Sequence, residues 1–441
     1  MITKNIDSAT HNTWPSTPPY FLLLFSLPRF SSIHARFGAR MAPVFAILIF
    51  LTLFLIEMGL AYAEEGNATQ LYVSESVRHE SNLFRLSSTD SSLALINKPS
   101  YAETIYTTAM GLKFDKSYSL QRVQIDVNTI DYRYRNFSYL NFTAFNYRAG
   151  WLWSVTPNFY GNVASSRDKT LNSFSDFLSI NQRNERISTS SGVDATYEMG
   201  ARWRLLGSLM ATAQTNRQPL ISESGSRQTV INTGLRYEFP SGTHAGLVLR
   251  NYNGTYTDQA PSLVNRLENS FVQNEEEINV LWKISEKTNT NFALIYLTRH
   301  HPNFSERNYR GLAGNARVTW LISAKSALNV ELRRDIAAFQ TSSTNYSTAD
   351  RLSIGPEWQI STKSRLGMQL RVINRQYGGT PGLGIVSDRS DVSREAALAL
   401  EWRPFSSVNV NASLQNSRRS ASDPRLNYKN NNLTVSAKFS F

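Results

Sequence analysis

Apolar side chains recur at every second position through most of this chain, and no stretch after Ala63 is long and apolar enough to be a spanning helix. In Gln121 to Val127, Val123, Ile125 and Val127 alternate with Arg122, Gln124 and Asp126. The same dyad runs through 145–155, 228–239 and 365–372, and it closes the chain in Leu433, Val435, Ala437, Phe439 and Phe441. Side chains of a strand point alternately to opposite faces, so such segments predict strands with one apolar and one polar face. Helical spacing at i, i+3, i+4 is scarcely found.

A sandwich or a propeller also alternates, because one face of each sheet packs inside and the other meets water. Three features favour a closed membrane barrel. The alternating runs often reach ten residues or more, the length that crosses a bilayer at a tilt. Short turns alternate with long polar connections. The short turns also repeat: Trp282-Lys-Ile-Ser-Glu-Lys-Thr288, Trp320-Leu-Ile-Ser-Ala-Lys-Ser326 and Trp358-Gln-Ile-Ser-Thr-Lys-Ser364 share one template with tryptophans 38 residues apart, and Trp153 and Trp402 open looser copies. Tryptophan recurring at one depth is what an interfacial aromatic girdle requires, since indole is apolar in body with a single N–H. A propeller repeating at this period would need four strands per unit where the spacing leaves room for two long ones. The expected fold is an all-β, transmembrane, antiparallel up-and-down β-barrel of about eighteen strands, from 70–79 to 428–441, or sixteen if 70–79 or 159–167 is not in the wall.

The N-terminus reads as a leader. Arg36 and Arg40 precede an apolar stretch from Val44 to Ile56, which ends in Ala61-Tyr62-Ala63 before Glu64-Glu65. Basic, apolar and small-residue segments in that order make a signal peptide, and Glu57 cuts the run too short for a transmembrane anchor. Residues 1–63 are therefore set apart as leader and signal peptide with Met41 the expected true start, and 64–441 as the barrel domain. The 441-residue chain carries a net charge of +12. The leader holds four of the basic and two of the acidic residues, so the remainder stays strongly basic. Cysteine is absent, which excludes disulfide frameworks, thiolate metal sites, thiol nucleophiles and an N-terminal lipidated Cys.

If the apolar parity faces lipid, the other parity lines the interior, and it is rich in arginine: Arg122, Arg148, Arg202, Arg204, Arg236, Arg250, Arg317, Arg351, Arg365, Arg371 and Arg375. Acidic residues share that face, among them Asp126, Asp194, Glu198, Glu238, Glu275, Glu277, Glu331, Glu357 and Glu395. One reading has these charges pairing across neighbouring strands; the other has the arginine surplus selecting anionic solutes, as a ring of one sign does. Tyr252 and Tyr256 fall on the inward parity, where they could stack on sugar rings.

Catalytic and cofactor signals are weak. His300-His301 is expected in an exposed loop, and adjacent residues cannot place two ligands on one face of a strand. Glu275-Glu276-Glu277 could hold a hard cation, and Gly378-Gly379 with Gly382 and Gly384 has no helix behind it to bind phosphate. The basic charge is spread along strands without a nucleic-acid motif, so nucleic acid is not an expected partner. No catalytic, cofactor or metal site is expected.

Several segments resemble the EpsL-type outer-membrane proteins of exopolysaccharide operons, in a β-barrel porin superfamily associated with exosortase-type systems. They are Ser76-Val-Arg-His-Glu-Ser-Asn-Leu-Phe-Arg-Leu86, Asp131 to Arg148, Trp151-Leu-Trp153, Gly234 to Gly242 and Asn308-Tyr-Arg-Gly-Leu312. The resemblance implies a location in the bacterial outer membrane and a part in exopolysaccharide biosynthesis and export. The barrel would form or assist the polymer exit pore, with interior Arg and Tyr facing the polymer and no enzymatic activity. The partners it implies are outer-membrane lipid, polysaccharide and periplasmic polysaccharide-synthesis proteins. Terminal Phe439 and Phe441 resemble the signal read by the outer-membrane assembly machinery. The leading alternatives are a general diffusion porin and a non-conducting scaffold of the synthesis machinery.

Overall fold

The computed structural model describes residues 68–87, 100–174, 182–217, 225–257, 266–341, 343–379 and 388–441. The leader and the Met41 start lie outside the described residues, as do parts of the longer connections.

Eighteen strands form one antiparallel sheet. In chain order they are β1 (Thr69–Glu80), β2 (Glu103–Tyr118), β3 (Gln121–Tyr134), β4 (Phe142–Thr156), β5 (Phe159–Leu171) and β6 (Glu185–Met199). There follow β7 (Trp203–Asn216), β8 (Ser226–Glu238), β9 (His244–Tyr256), β10 (Ser270–Ser285), β11 (Thr288–His300) and β12 (Tyr309–Ser323). The last six are β13 (Ser326–Ala338), β14 (Tyr346–Ser361), β15 (Ser364–Gly378), β16 (Ser390–Phe405), β17 (Val408–Ala421) and β18 (Tyr428–Ser440). Each strand pairs with the next, and β1 pairs with β18, so the sheet closes on itself and no edge is left to aggregate. Both 70–79 and 159–167 are wall strands, which decides for eighteen over sixteen. At the seam Phe441 exchanges backbone hydrogen bonds with Leu71 at 2.8 and 3.2 Å, and Phe439 packs against Val408 and Ala437.

The repeated turn template has a structural explanation. Before each of these turns the ladder slips, between Lys283 and Ser285, Leu321 and Ser323, and Gln359 and Ser361. Each slip is a bulge that tightens the twist into the turn. The Ser hydroxyl then accepts the N–H of the Lys two residues on, in Ser285–Lys287, Ser323–Lys325 and Ser361–Lys363, at 3.2–3.3 Å. The Lys carbonyl in turn accepts from the neighbouring hairpin, from Leu321, Gln359 and Arg403. Template residues therefore satisfy a local turn and tie adjacent turns together.

Candidate functional site

Cross-strand partners share a face, so the register sorts every wall residue. The outward set is apolar and exposed: Leu71, Met110, Phe145, Leu209, Leu247, Ile278, Leu294, Leu332 and Leu400 are typical. At the short-turn end Trp282, Trp320, Trp358 and Trp402 stand on this outer face with about half of each ring exposed. Trp153 joins them, packed edge-on against Phe159. Trp151 and Trp203, which lie outside the repeat, are on the same face at the same end. A closed antiparallel wall with an apolar outside, a charged inside and aromatic side chains along one rim belongs in a membrane, with its short turns on the periplasmic side. The chain is a porin-like β-barrel of the bacterial outer membrane.

No protein-family model and no curated protein matches the sequence. Among solved structures it is similar to OpdK of Pseudomonas aeruginosa with vanillate, at 11% identity and a TM-score of 0.48, covering 85% of this chain and 99% of that one. A BenF-like porin from Pseudomonas fluorescens Pf-5 gives 12% and 0.49, with 85% and 99% covered. OccK2 (OpdF) of Pseudomonas aeruginosa in complex with glucuronate gives 11% and 0.48, with 85% and 96% covered.

Of the inward candidates, Arg122, Arg148, Arg204, Arg236, Arg250, Tyr252, Tyr256, Arg317, Arg351, Arg365, Arg371 and Arg375 sit on the interior parity. Arg202 does not: it is in the turn between β6 and β7 and donates to the hydroxyl of outward-facing Tyr237 at 2.8 Å. A residue that closes a turn has left the strand, and parity counted through it no longer holds.

These arginines are matched by carboxylates, which the surplus alone did not reveal. Arg122 holds Asp115 through two bonds of 2.7 Å. Arg250 donates to Glu277 at 2.6 Å and Glu275 at 3.3 Å, and Tyr252 donates to Glu275 at 3.1 Å. Arg365 bridges Glu401 at 2.7 Å and Glu357 at 3.4 Å, and Arg371 meets Glu395 at 2.9 Å. Arg204–Glu198, Arg236–Glu238, Arg317–Glu331 and Arg148–Asp168 complete the series within 3.5 Å. Arg351 is 3.9 Å from Asp335, and Arg375 stands opposite Asp391 in the register. Opposite charges on one sheet face settle against their nearest partners, so the wall carries paired dipoles where the count of arginines implied a ring of one sign.

Two lumen arginines stand outside this pairing. Arg299 has no ion pair with a carboxylate among the described residues; it stacks 3.8 Å over Phe271 and donates to Gln273 and Tyr256. Arg186 has no ion-pair partner among the described residues. It lines a recess of about 580 Å³ inside the long-loop end, with Arg78, Arg85, Tyr132, Tyr134 and Phe174. The recess spans the arc from β17 through β1 to β6. It exists because loop residues fold inward over this arc. Leu83, Phe84, Phe137 and Leu140 pack on Ile105, Tyr134, Phe142 and Ala144, with Phe84 edge-on to both Phe137 and Phe174 at 4.8 Å. Aromatic burial of this kind stabilises a loop that would otherwise be solvated.

A second device holds the loops. Glu103 is fully buried and accepts the N–H groups of Asn136 and Phe137 at 2.7–3.0 Å; Glu268 does the same for Asn303 and Phe304. A single 3-10 turn follows in each case, and then Asn141 or Asn308 accepts the N–H seven residues back, of Tyr134 or His301, at 2.7 Å. The sequence signal is Asn136-Phe-Ser-Tyr-Leu-Asn141 and Asn303-Phe-Ser-Glu-Arg-Asn308, a repeat that the turn template overshadows. Inside the second copy Arg307 is fully buried and donates to the carbonyls of Arg266, Thr341 and Thr344 and to Asn345, clamping three loops.

The weaker candidates separate. Glu275 and Glu277 point inward to Arg250, whereas His300 is outward, opposite exposed Val272, so they do not converge. Contrary to the expectation of an exposed doublet, His301 is buried beneath Arg299 and Arg307. Burial first, and those guanidiniums second, push its imidazole down to about 4. Among the described residues no group of acidic or histidine side chains is arranged to hold a metal.

Proposed function

We propose that the barrel is a passive diffusion channel for small polar solutes, with the recess around Arg186 as its selective station. The observation that carries this reading is the contrast inside the wall. Most lumen charges are neutralised in place, which favours water and solute passage without trapping either sign, while Arg186, Arg78 and Arg85 leave net positive charge where the mouth is narrowed by aromatic side chains. An anionic solute with an apolar face fits such a station. In planar bilayers the protein is expected to conduct salt with a modest preference for chloride. Arg186→Glu should reverse or abolish that preference while replacing both members of a neutral pair, Arg371→Gln with Glu395→Gln, changes it little. A wild-type barrel that does not conduct would sink the proposal and favour the scaffold reading.

The second reading is the exit route of an exopolysaccharide, for which the support is the sequence resemblance of the segments from Ser76 to Leu312. In it the interior arginines with Tyr252 and Tyr256 face the polymer, periplasmic synthesis proteins deliver it, and Phe439 and Phe441 serve the assembly machinery. Deleting the gene should then deplete surface polymer and accumulate it inside the cell. Normal surface polymer in the deletion strain would rule this reading out and leave the diffusion channel standing.

A further inference from the structure

We propose that the outer face of β11 to β18, at the long-loop end, holds a phosphorylated, multiply acylated lipid of the outer leaflet. A trough of about 610 Å³ opens on the lipid side, walled by Phe292, Leu294, Leu312, Leu332, Leu352 and Val372. Its floor is Gly314, where a Cβ would run into the Ala293 carbonyl, so the trough exists because no side chain fills it. At its upper rim Arg334 grips Asp350 through two bonds of 2.6 and 2.7 Å, a pair that is neutral overall.

Beside the trough the charge is not neutral. Val372 of its wall pairs in register with Arg394, Arg394 with Arg418, and Arg418 with Lys429. The three cations stand on the outer face, exposed, with no ion pair among the described residues. Like charges directly opposite one another on a sheet destabilise it, whereas most basic side chains of the strands have a carboxylate within reach. An anion supplied from outside the protein resolves the repulsion.

The depth of the row identifies the source. On β16, β17 and β18 it lies eight residues above Trp402, Val410 and Ala437, which share one register row at the aromatic rim. At strand rise and tilt this is about 20 Å, near the upper edge of an apolar band roughly 25 Å tall. Long basic side chains there reach the headgroup layer. The row meets phosphate at the height where a lipid presents it, and the trough beside it takes acyl chains.

The test uses the purified full chain, folded in zwitterionic micelles and titrated with bisphosphorylated lipid A, fully dephosphorylated lipid A or inorganic phosphate. Wild type should bind the phosphorylated lipid saturably and the dephosphorylated form at least tenfold more weakly. Inorganic phosphate at the same concentrations should not compete. With each basic residue near a charged lipid surface worth about 1 kcal/mol, the triple variant R394Q/R418Q/K429Q should lose about 100-fold in affinity and R418Q alone about fivefold. R133Q, whose outward guanidinium already pairs with Asp131, should bind as wild type does. Retained heat-modifiable mobility reports that each variant is folded, and R418Q decides if the triple variant is not. Unchanged binding in a folded variant overturns the proposal, as does competition by inorganic phosphate, which would reveal a bare anion site.

Discussion

The two ends of the barrel are held by opposite strategies. At the periplasmic end each turn of the repeated template is satisfied within itself, by a Ser hydroxyl and an N–H two residues away, and its link to the next hairpin repeats along the wall. At the long-loop mouth the partners are far apart in sequence: Glu268 with Asn303 and Phe304, Arg307 with Thr341 and Thr344, Asn82 with Asn430. Local bonds form wherever their short segment occurs and stand independently of one another. Long-range bonds depend on a few buried charged groups, so the mouth is the end that a single substitution can open.

The comparison can be broken most severely at Arg307. Replacing it with Ala takes the guanidinium from four acceptors, of which the Thr344 carbonyl keeps the Thr341 N–H, and the expected loss exceeds about 3 kcal/mol in urea unfolding from lipid bilayers. Arg307→Lys should recover little, because an ammonium cannot reach forked acceptors on two other loops. If either variant unfolds with wild type, the clamp is not structural. Next come Glu103→Gln and Glu268→Gln, each costing roughly 1.5–3 kcal/mol as a charge-assisted acceptor weakens. Their effects should be alike because their geometry is, and a large disparity would show that the two copies are not equivalent.

Acidification should loosen the same end. The His301 imidazole sits at about 4 in the folded mouth, against about 6.5 when the loop opens. The opened loop therefore binds a proton that the closed one refuses, and closure weakens as pH falls from about 6.5 to 4, with no further loss from this group below that. For Glu268, burial opposes ionisation, but the N–H donors of Asn303, Asn269 and Phe304 outweigh it and lower its carboxyl. Its contribution is present above the ordinary carboxylate range and is lost as pH drops through the lowered value. Open-channel noise in planar bilayers should rise across the histidine window in wild type. A His301→Phe barrel showing the same rise would assign it elsewhere. The smallest effect belongs to the turn end: Ser323→Ala should cost roughly 0.5–1 kcal/mol or less and leave conductance unaltered.

How much could be read from the chain follows the same division. The strands are legible from alternation, because a wall between lipid and water rewards every second residue alike, and only the place of 70–79 and 159–167 in the wall waited for the register. The periplasmic turns are legible because their bonds span two residues. Arg202 is misread since it lies in a turn, and His301 because a loop position gives no hint that Arg299 and Arg307 will cover it. The recess is invisible in the alternation: Leu83, Phe84, Phe137 and Phe174 lie on three connections, and nothing in their local spacing says that they meet.

Sequence by itself therefore determined a closed wall, its lipid and lumen faces and its periplasmic rim, since these rest on side-chain parity and local turn chemistry. Only the tertiary structure decided which charges cancel and which remain. Arg365 can find Glu401 and Arg250 can find Glu277 only once strands are in register, and Arg186 is left over at the mouth by that same pairing. Charge counted along a chain is a sum, whereas selectivity depends on where the unpaired remainder lies.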